Sequence, residues 1–364
     1  MQKKILYSAI SLILSLSLLL SLASCGKKDE SRDPAALTLG GAVIGERAYH
    51  YKLCTYKGEL LASYEGATDT DAFWDRVISG ERAEDVFFDM ILGFIKSDLV
   101  SSYLFDLYGL SITEDDEATA RELLSDLECE LSGGEREAFD RDLSEYGVDA
   151  DLLLEIMIDD LKPTYVYNHA FESGILTVGT EEKQSYLEEN YARVRQIYIN
   201  NKYDPEKSYY DGGSFVAVPL GDEAKAAADA KIAACAGELA AGVDFDAVRE
   251  KYSEDESYPN GYYISSSTKG VPEEFIETAL STPVGEYAEC ESEYGAHFIK
   301  RIMMDHGAWA AEENEDFFAG FTDAVYNDVF VKFIGSYYDK IEVDQSVIDK
   351  YKVRAVPPNY NYRS

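Results

Sequence analysis

The sequence predicts an α+β protein: a mainly helical part made from both ends of the chain, holding between them a smaller part with a short antiparallel sheet and its own helices. Three observations predict it. Apolar residues recur at helical spacing from about residue 81 to residue 190. After Arg193 the pattern changes to short strand-like runs punctuated by Gly and Pro. An amphipathic helical pattern then returns from Glu312 to Tyr338.

At the start, Lys3 and Lys4 precede an apolar run from Ile5 to Leu22, and Ala23 and Ser24 stand just before Cys25. Residues 1–24 therefore read as a secretion signal. A membrane-spanning anchor is the alternative, since about 20 apolar residues cross a bilayer. The ending Leu22-Ala23-Ser24-Cys25 favours the signal, because it is similar to the bacterial lipobox, in which the Cys is diacylated and becomes the mature N-terminus. Two acyl chains give a lasting anchor where one would let go. The expected product is held by Cys25 on the outer face of the cell membrane, with residues 25–36 as a polar tether.

A strand-like piece at Leu37–Gly45 opens the helical part. Val86, Phe87, Met90, Ile91, Phe94 and Ile95, then Val100, Tyr103, Leu104 and Leu107, mark a long amphipathic helix that stops at Gly109. Thr113 with Glu114, Asp115 and Asp116 reads as an N-cap followed by acids in the first turn of the next helix, a favourable arrangement for the helix dipole. A further helix is predicted from about Val148 to Ile158, with Pro163 bending or ending it, and Thr180-Glu181-Glu182 announces the last one before Tyr191.

In the second part, Arg193–Ile199 is strand-like and leads into a Tyr-, Gly- and Lys-rich loop through Gly213. Ala224–Ala241 is a helix with Ile232, Cys235 and Leu239 on one face, and Asp244 caps another that carries Phe245, Val248 and Tyr252. Pro259-Asn260-Gly261 is a turn before a strand at Tyr262–Ser265; Pro272 opens a helix over Phe275, Ile276 and Leu280; two strands fit Glu286–Cys290 and Ala296–Ile302. The predicted domain borders are 37–190 for the helical part, 191–304 for the sheet part, 305–356 for a closing segment that returns to the helical part, and 357–364 for a flexible tail.

Composition removes several function classes. The chain has 364 residues with 33 Lys plus Arg against 69 Asp plus Glu, a formal charge of -36, and 46% apolar residues. That apolar share is ample for sizeable cores, so the chain is not disordered as a whole. The acid excess repels phosphate backbones, and no basic stripe exceeds Lys27-Lys28, which sets nucleic acid aside. Leu131-Ser132-Gly133-Gly134-Glu135 is similar to the signature loop of transporter ATPases, but without a phosphate-binding GxxxxGK[ST] loop it reads as a turn between helices. His50, His169 and His306 stand apart in no metal-ligand spacing, and neither a metal nor a cofactor is expected. Cys54, Cys129, Cys235 and Cys290 are widely spaced; one or two disulfides among them are open, in three pairings, with Cys235 reading as a small core residue.

The residues of the second part carry a resemblance. The strand Val194-Arg195-Gln196-Ile197-Tyr198-Ile199, the segment Gly242-Val243-Asp244-Phe245, the turn Tyr252-Ser253-Glu254-Asp255 and the ending Tyr294-Gly295-Ala296-His297-Phe298-Ile299-Lys300 resemble the parvulin peptidyl-prolyl isomerases. Pro272-Glu273-Glu274-Phe275 and Pro283-Val284-Gly285-Glu286 fit the family's helix and the strand after it. With the lipobox and the helical first half, the whole chain looks like a PrsA/SurA-type extracytoplasmic foldase. The resemblance implies an inserted parvulin-like domain that isomerises X-Pro bonds in unfolded exported clients, and it allows a homodimer. His297 matches the family's second histidine, Asp255 its acidic position and Ser292 a frequent hydroxyl. Phe275 and Val271 would line the proline pocket with Tyr263 nearby.

Gln196 departs from the pattern, standing where the family has its first histidine. Glutamine donates and accepts hydrogen bonds but takes no charge. Three functions therefore compete: an anchored foldase with isomerase activity, a holdase whose parvulin domain has lost its chemistry, and, from another class, a solute-binding lipoprotein. The last requires two lobes of alternating strands and helices, and residues 81–190 carry no strand pattern.

Overall fold

The computed structural model describes residues 33–361 except 79, 213 and 256, so the expected signal at 1–24 and the expected lipidation site at Cys25 lie outside the described residues. The chain forms two compact units, one from residues up to Val166 together with Tyr337 onward, the other from Tyr167 to Ser336. It is α+β, with helices predominating and, among the described residues, every strand pairing antiparallel.

In the first unit a hairpin of β1 (Ala35–Leu39) and β2 (Ala42–Gly45) leads into α1 (Glu46–Ser63). Next come α2 (Ala83–Leu107), α3 (Glu114–Ser132), α4 (Arg136–Leu143), α5 (Ala150–Asp159) and the start of α6 (Lys162–Glu172). The expected stop signals act where the sequence puts them: Gly109 has φ +65°, and Thr113 Oγ1 accepts a hydrogen bond from the Asp116 backbone N–H at 3.1 Å. Pro163 behaves differently from the expectation. It falls in the first turn of α6, where its missing N–H costs nothing, so it begins a helix after α5 has already ended.

Helix α1 carried no amphipathic signal because it is buried almost all round, including Lys52 and Lys57. Lys52 bridges Asp98 at 2.8 Å and Asp160 at 2.6 Å, while Lys57 Nζ pairs with Asp69 at 2.7 Å and donates to the Val356 carbonyl at 2.6 Å. These contacts bring the C-terminal segment home. Its strand Glu342–Val343 pairs with β1, and Asn359, fully buried, donates its backbone N–H to the Cys54 carbonyl at 2.9 Å. Gly58 permits the approach, since a Cβ there would lie 2.3 Å from the Asn359 carbonyl oxygen. Asn359 is thus seated against α1 while Tyr360 and Asn361 are exposed, so the flexible tail expected at 357–364 is corrected only as far as Asn359.

The second unit continues through α7 (Thr180–Asn190), β3 (Tyr191–Ile199), α8 (Asp222–Ala240), α9 (Phe245–Tyr252), β4 (Tyr262–Ser265), α10 (Glu273–Ser281), β5 (Tyr287–Glu291), β6 (Ala296–Ile302) and α11 (Phe321–Gly335); β7 (Glu342–Val343) follows in the first unit. The four longer strands form one sheet in the order β4-β3-β6-β5. A small hairpin, Tyr209–Asp211 with Ser214–Val216, stands in the loop between β3 and α8.

Alternation along the strands builds two faces. Ala192, Val194, Tyr262, Ile264 and Ile299 pack with Phe275 and Ala279 of α10 on one face. Ile197, Ile199 and Phe298 pack with Cys235 and Leu239 of α8 and with Phe245 and Val248 of α9 on the other. A third cluster joins Leu187 of α7, Tyr191, Tyr263, Phe318, Phe321 and Val325. The closing helix packs as α11 on α7, a helix within the 37–190 stretch on which it was expected to pack, but both fall in the second unit. Segments 167–190 and 305–336 accordingly fall with the sheet, so the compact units divide away from the borders read from sequence. All four described cysteines are free thiols, and Cys235 is fully buried in the core.

Candidate functional site

The two inner strands set the site. In their register His297 faces Tyr198 and Ile299 faces Gln196, so His297 and Gln196 are diagonal neighbours on one face of the sheet, within side-chain reach. The α10 side of the sheet therefore carries both. Gly295, just before β6, lets the turn press on β3, because a Cβ there would lie 2.4 Å from the Ile199 carbonyl oxygen.

The loop after α9 delivers the acid. Ser253 Oγ accepts from the Tyr198 N–H at 3.2 Å and the Glu254 N–H donates to the Tyr198 carbonyl at 2.8 Å, which ties the loop to β3. Asp255 is thereby set over Gln196, and Gln196 Nε2 donates to its Oδ2 at 2.6 Å. The Ser257 N–H bonds the other carboxylate oxygen at 2.8 Å.

Asp255, Gln196, His297 and Ser292 make one continuous line of hydrogen bonds. Beyond the Asp255–Gln196 contact, Gln196 Oε1 lies 3.1 Å from His297 Nδ1, and His297 Nε2 lies 2.8 Å from Ser292 Oγ. The carboxylate fixes the direction of every bond. As an acceptor only, it requires the amide NH2 of Gln196, which leaves Oε1 to accept from Nδ1–H of the imidazole. Nε2 then carries the lone pair and accepts from the Ser292 hydroxyl, whose oxygen in turn accepts from the Tyr294 N–H at 3.1 Å. His297 is held neutral in one tautomer. Burial pushes its pKa down from 6.5 to about 4, the charges of Asp255 and Glu274 acting weakly the other way.

Aromatic rings enclose the imidazole. Phe275 meets it edge-on at 5.3 Å and Tyr198 lies 5.2 Å away, while Tyr262 stacks on Phe275 at 6.2 Å. Val271 packs against the same cluster. Phe275 is only 1% exposed, so its ring is enclosed by its neighbours.

Six of the seven candidates from the sequence, namely Gln196, Asp255, Val271, Phe275, Ser292 and His297, come together. Tyr263 does not. The two-residue period of β4 sends it to the opposite face, where it packs on Phe318 at 4.9 Å and its hydroxyl donates to Asp305 at 3.3 Å. Its neighbour Tyr262 takes the place on the His297 side. Tyr262, Tyr198 and Ser253 were missed in the sequence; alternation from Gln196 identifies Tyr198, while Tyr262 needs the pairing of Val194 with Tyr262, which only the fold supplies.

Among the described residues no cluster suits a metal ion, and no helix is long and apolar enough to cross a membrane. No family model matches the chain, and no curated protein matches it. Solved structures do resemble it. PrsA from Bacillus subtilis is 16% identical, with 79% of this chain and 91% of that one covered and a TM-score of 0.24. Peptidylprolyl isomerase PrsA from Bacillus cereus is 17% identical over 89% of this chain and all of its own, at a TM-score of 0.24. One of two SurA-like chaperones from Campylobacter jejuni is 12% identical over 85% and 99%, at 0.25. Whole-chain superposition at such scores is poor, and the functional reading rests on the residues around His297.

Proposed function

We propose that this chain is a lipid-anchored extracytoplasmic foldase, with a parvulin-like unit that catalyses cis-trans isomerisation of X-Pro bonds in exported proteins as they fold. The observation that carries the reading is the directed line from Asp255 through Gln196 and His297 to Ser292 beside an aromatic wall. Anchorage through Cys25, a homodimer and clients emerging from secretion belong to the same proposal.

The chemistry asked of the site is rotation about an amide with a barrier of about 18–20 kcal/mol, with no bond broken. Twisting removes amide resonance and moves charge from the carbonyl oxygen back to the proline nitrogen. A dry, apolar setting favours the twisted state over the more polar planar one, and fixed hydrogen-bonding groups hold it without reorganising. Phe275, Tyr262 and Val271 supply the apolar wall for the proline ring. Neutral His297, fixed by Gln196 and Ser292, supplies a polar floor with no net charge to favour the planar amide. Gln196 and Asp255 act as positioning residues.

A second reading keeps the fold and drops the catalysis: a holdase whose unit only binds extended chains. Two observations favour it. Gln196 cannot carry the charge that a second histidine could, and the Phe275 ring is enclosed. Refolding of an unfolded protein whose slow phase is proline isomerisation separates the readings. If the chain accelerates that phase and Gln196→His changes the rate little, the isomerase reading stands. Suppressed aggregation with no acceleration, and acceleration appearing only in Gln196→His, would establish the holdase.

A further inference from the structure

At the edge of the sheet, a groove of about 440 Å³ runs between the edge strand β5 and helix α8, with His297 and Cys290 also in its lining. Asn201, Asp229, Ile232, Glu289, Glu291 and Phe298 are among its lining residues. Ile232 and Phe298 make an apolar floor, and Phe298 and Ala296 face Glu289 and Glu291 across the strand register, which places both glutamates on this side. β5 pairs only with β6, so its outer backbone edge is unpaired among the described strands.

The polar groups of the groove are short of donors. Three carboxylates, Asp229, Glu289 and Glu291, meet two lysines: Lys225 bonds Asp229 at 3.1 Å and Lys202 bonds Glu291 at 2.6 Å, while among the described residues Glu289 makes no ion pair. Hydrogen bonds from Asn201 to Asp229 and from Lys202 to Glu291 hold both acids below the ordinary carboxylate range, so the negative charge persists.

Asn201 supplies an independent sign. It is 6% exposed, and its Nδ2 donates to Asp229 Oδ1 at 3.1 Å, which fixes the amide because a carboxylate only accepts. Its Oδ1 is left buried with no hydrogen-bond partner. A buried acceptor without a donor costs about 1–3 kcal/mol. An N–H donor is the group that would complete it, and Asn201 is among the residues lining the groove.

We propose that this groove binds an extended peptide segment bearing lysine or arginine, which pairs its backbone with the free edge of β5 and lays a basic side chain along Ile232 and Phe298 toward Glu289 and Asn201. A long apolar stem ending in donors matches the apolar floor and the acceptor-only rim. The acid excess of the whole chain steers such a segment inward. Edge-strand glutamates also guard sheets against self-association, but guarding calls for neither an adjoining apolar groove nor an unpartnered buried amide oxygen. The groove adjoins the site, since His297 is part of its lining, but binding there does not depend on isomerisation.

Fluorescence anisotropy of a labelled peptide of alternating lysine and valine, titrated with the full chain, tests the proposal. Binding is expected to weaken by about tenfold in Glu289→Gln/Glu291→Gln. It is expected to hold within about twofold in Glu250→Gln/Glu277→Gln, which removes the same charge from exposed positions elsewhere. Methylating alternate peptide nitrogens should also weaken it. Equal losses in the two charge variants, no loss on methylation, or no binding to the wild-type chain would each overturn the proposal.

Discussion

Protonation of His297 is a direct probe of the site, because the tautomer that links Gln196 to Ser292 exists only while the ring is neutral. Burial depresses its pKa from 6.5 to about 4. Between those values the unfolded chain holds a proton that the folded chain lacks, so stability rises with pH across the window and is lost as pH falls through it. The gap corresponds to about 3 kcal/mol, fully present above about pH 6.5 and gone below about pH 4. Other acids with lowered values, such as Asp149, lose stability in the same direction, so the His297 share must be isolated. Following the imidazole Cε1 signal by NMR from about pH 8 to about pH 4, with His297→Gln to assign it, reads the titration directly. Urea unfolding at both ends of the range should show a shallower pH slope in His297→Gln than in wild type. Titration of His297 near 6.5 would refute the reasoning, since it would mean that the ring is hydrated and the line of hydrogen bonds is not closed.

Three further outcomes follow from packing. Lys52→Met leaves Asp98 and Asp160 without their shared buried cation and should cost about 3–5 kcal/mol in chemical unfolding, whereas replacing all three with apolar residues should recover most of it. Gly58→Ala drives a Cβ toward the Asn359 carbonyl and should destabilise by at least about 2 kcal/mol; a neutral effect in thermal unfolding would mean that the C-terminal segment is not seated on α1. Thr113→Ala removes the α3 cap and should cost about 1 kcal/mol, read by the same unfolding experiment.

The parts of the fold that were legible are those where one face meets a core and the other meets water. α2, α8 and α9 showed their stripes, stops and caps, and the strands β3 and β6 appeared with their residues in order. α1 was not legible because the signal of amphipathicity vanishes when a helix is buried all round, and its buried lysines resemble surface residues until Asp98, Asp160 and Asp69 are in place. The tail was misread for a related reason: Pro357-Pro358-Asn359 has loop composition, and nothing local announces that α1 carries a glycine shaped to receive it. At the site, Gln196, Asp255, Ser292 and His297 were found by motif, and Tyr263 was misplaced because adjacent tyrosines in a strand differ only by which way the register turns them.

The central claim is that the line ending at His297 acts on an X-Pro bond, and the most direct measurement is cis-trans exchange of a short proline peptide with catalytic amounts of the full chain, beside His297→Ala. The account predicts acceleration in the wild type that is lost in the variant while the variant remains folded. Acceleration retained in His297→Ala, or none in either protein, would contradict it.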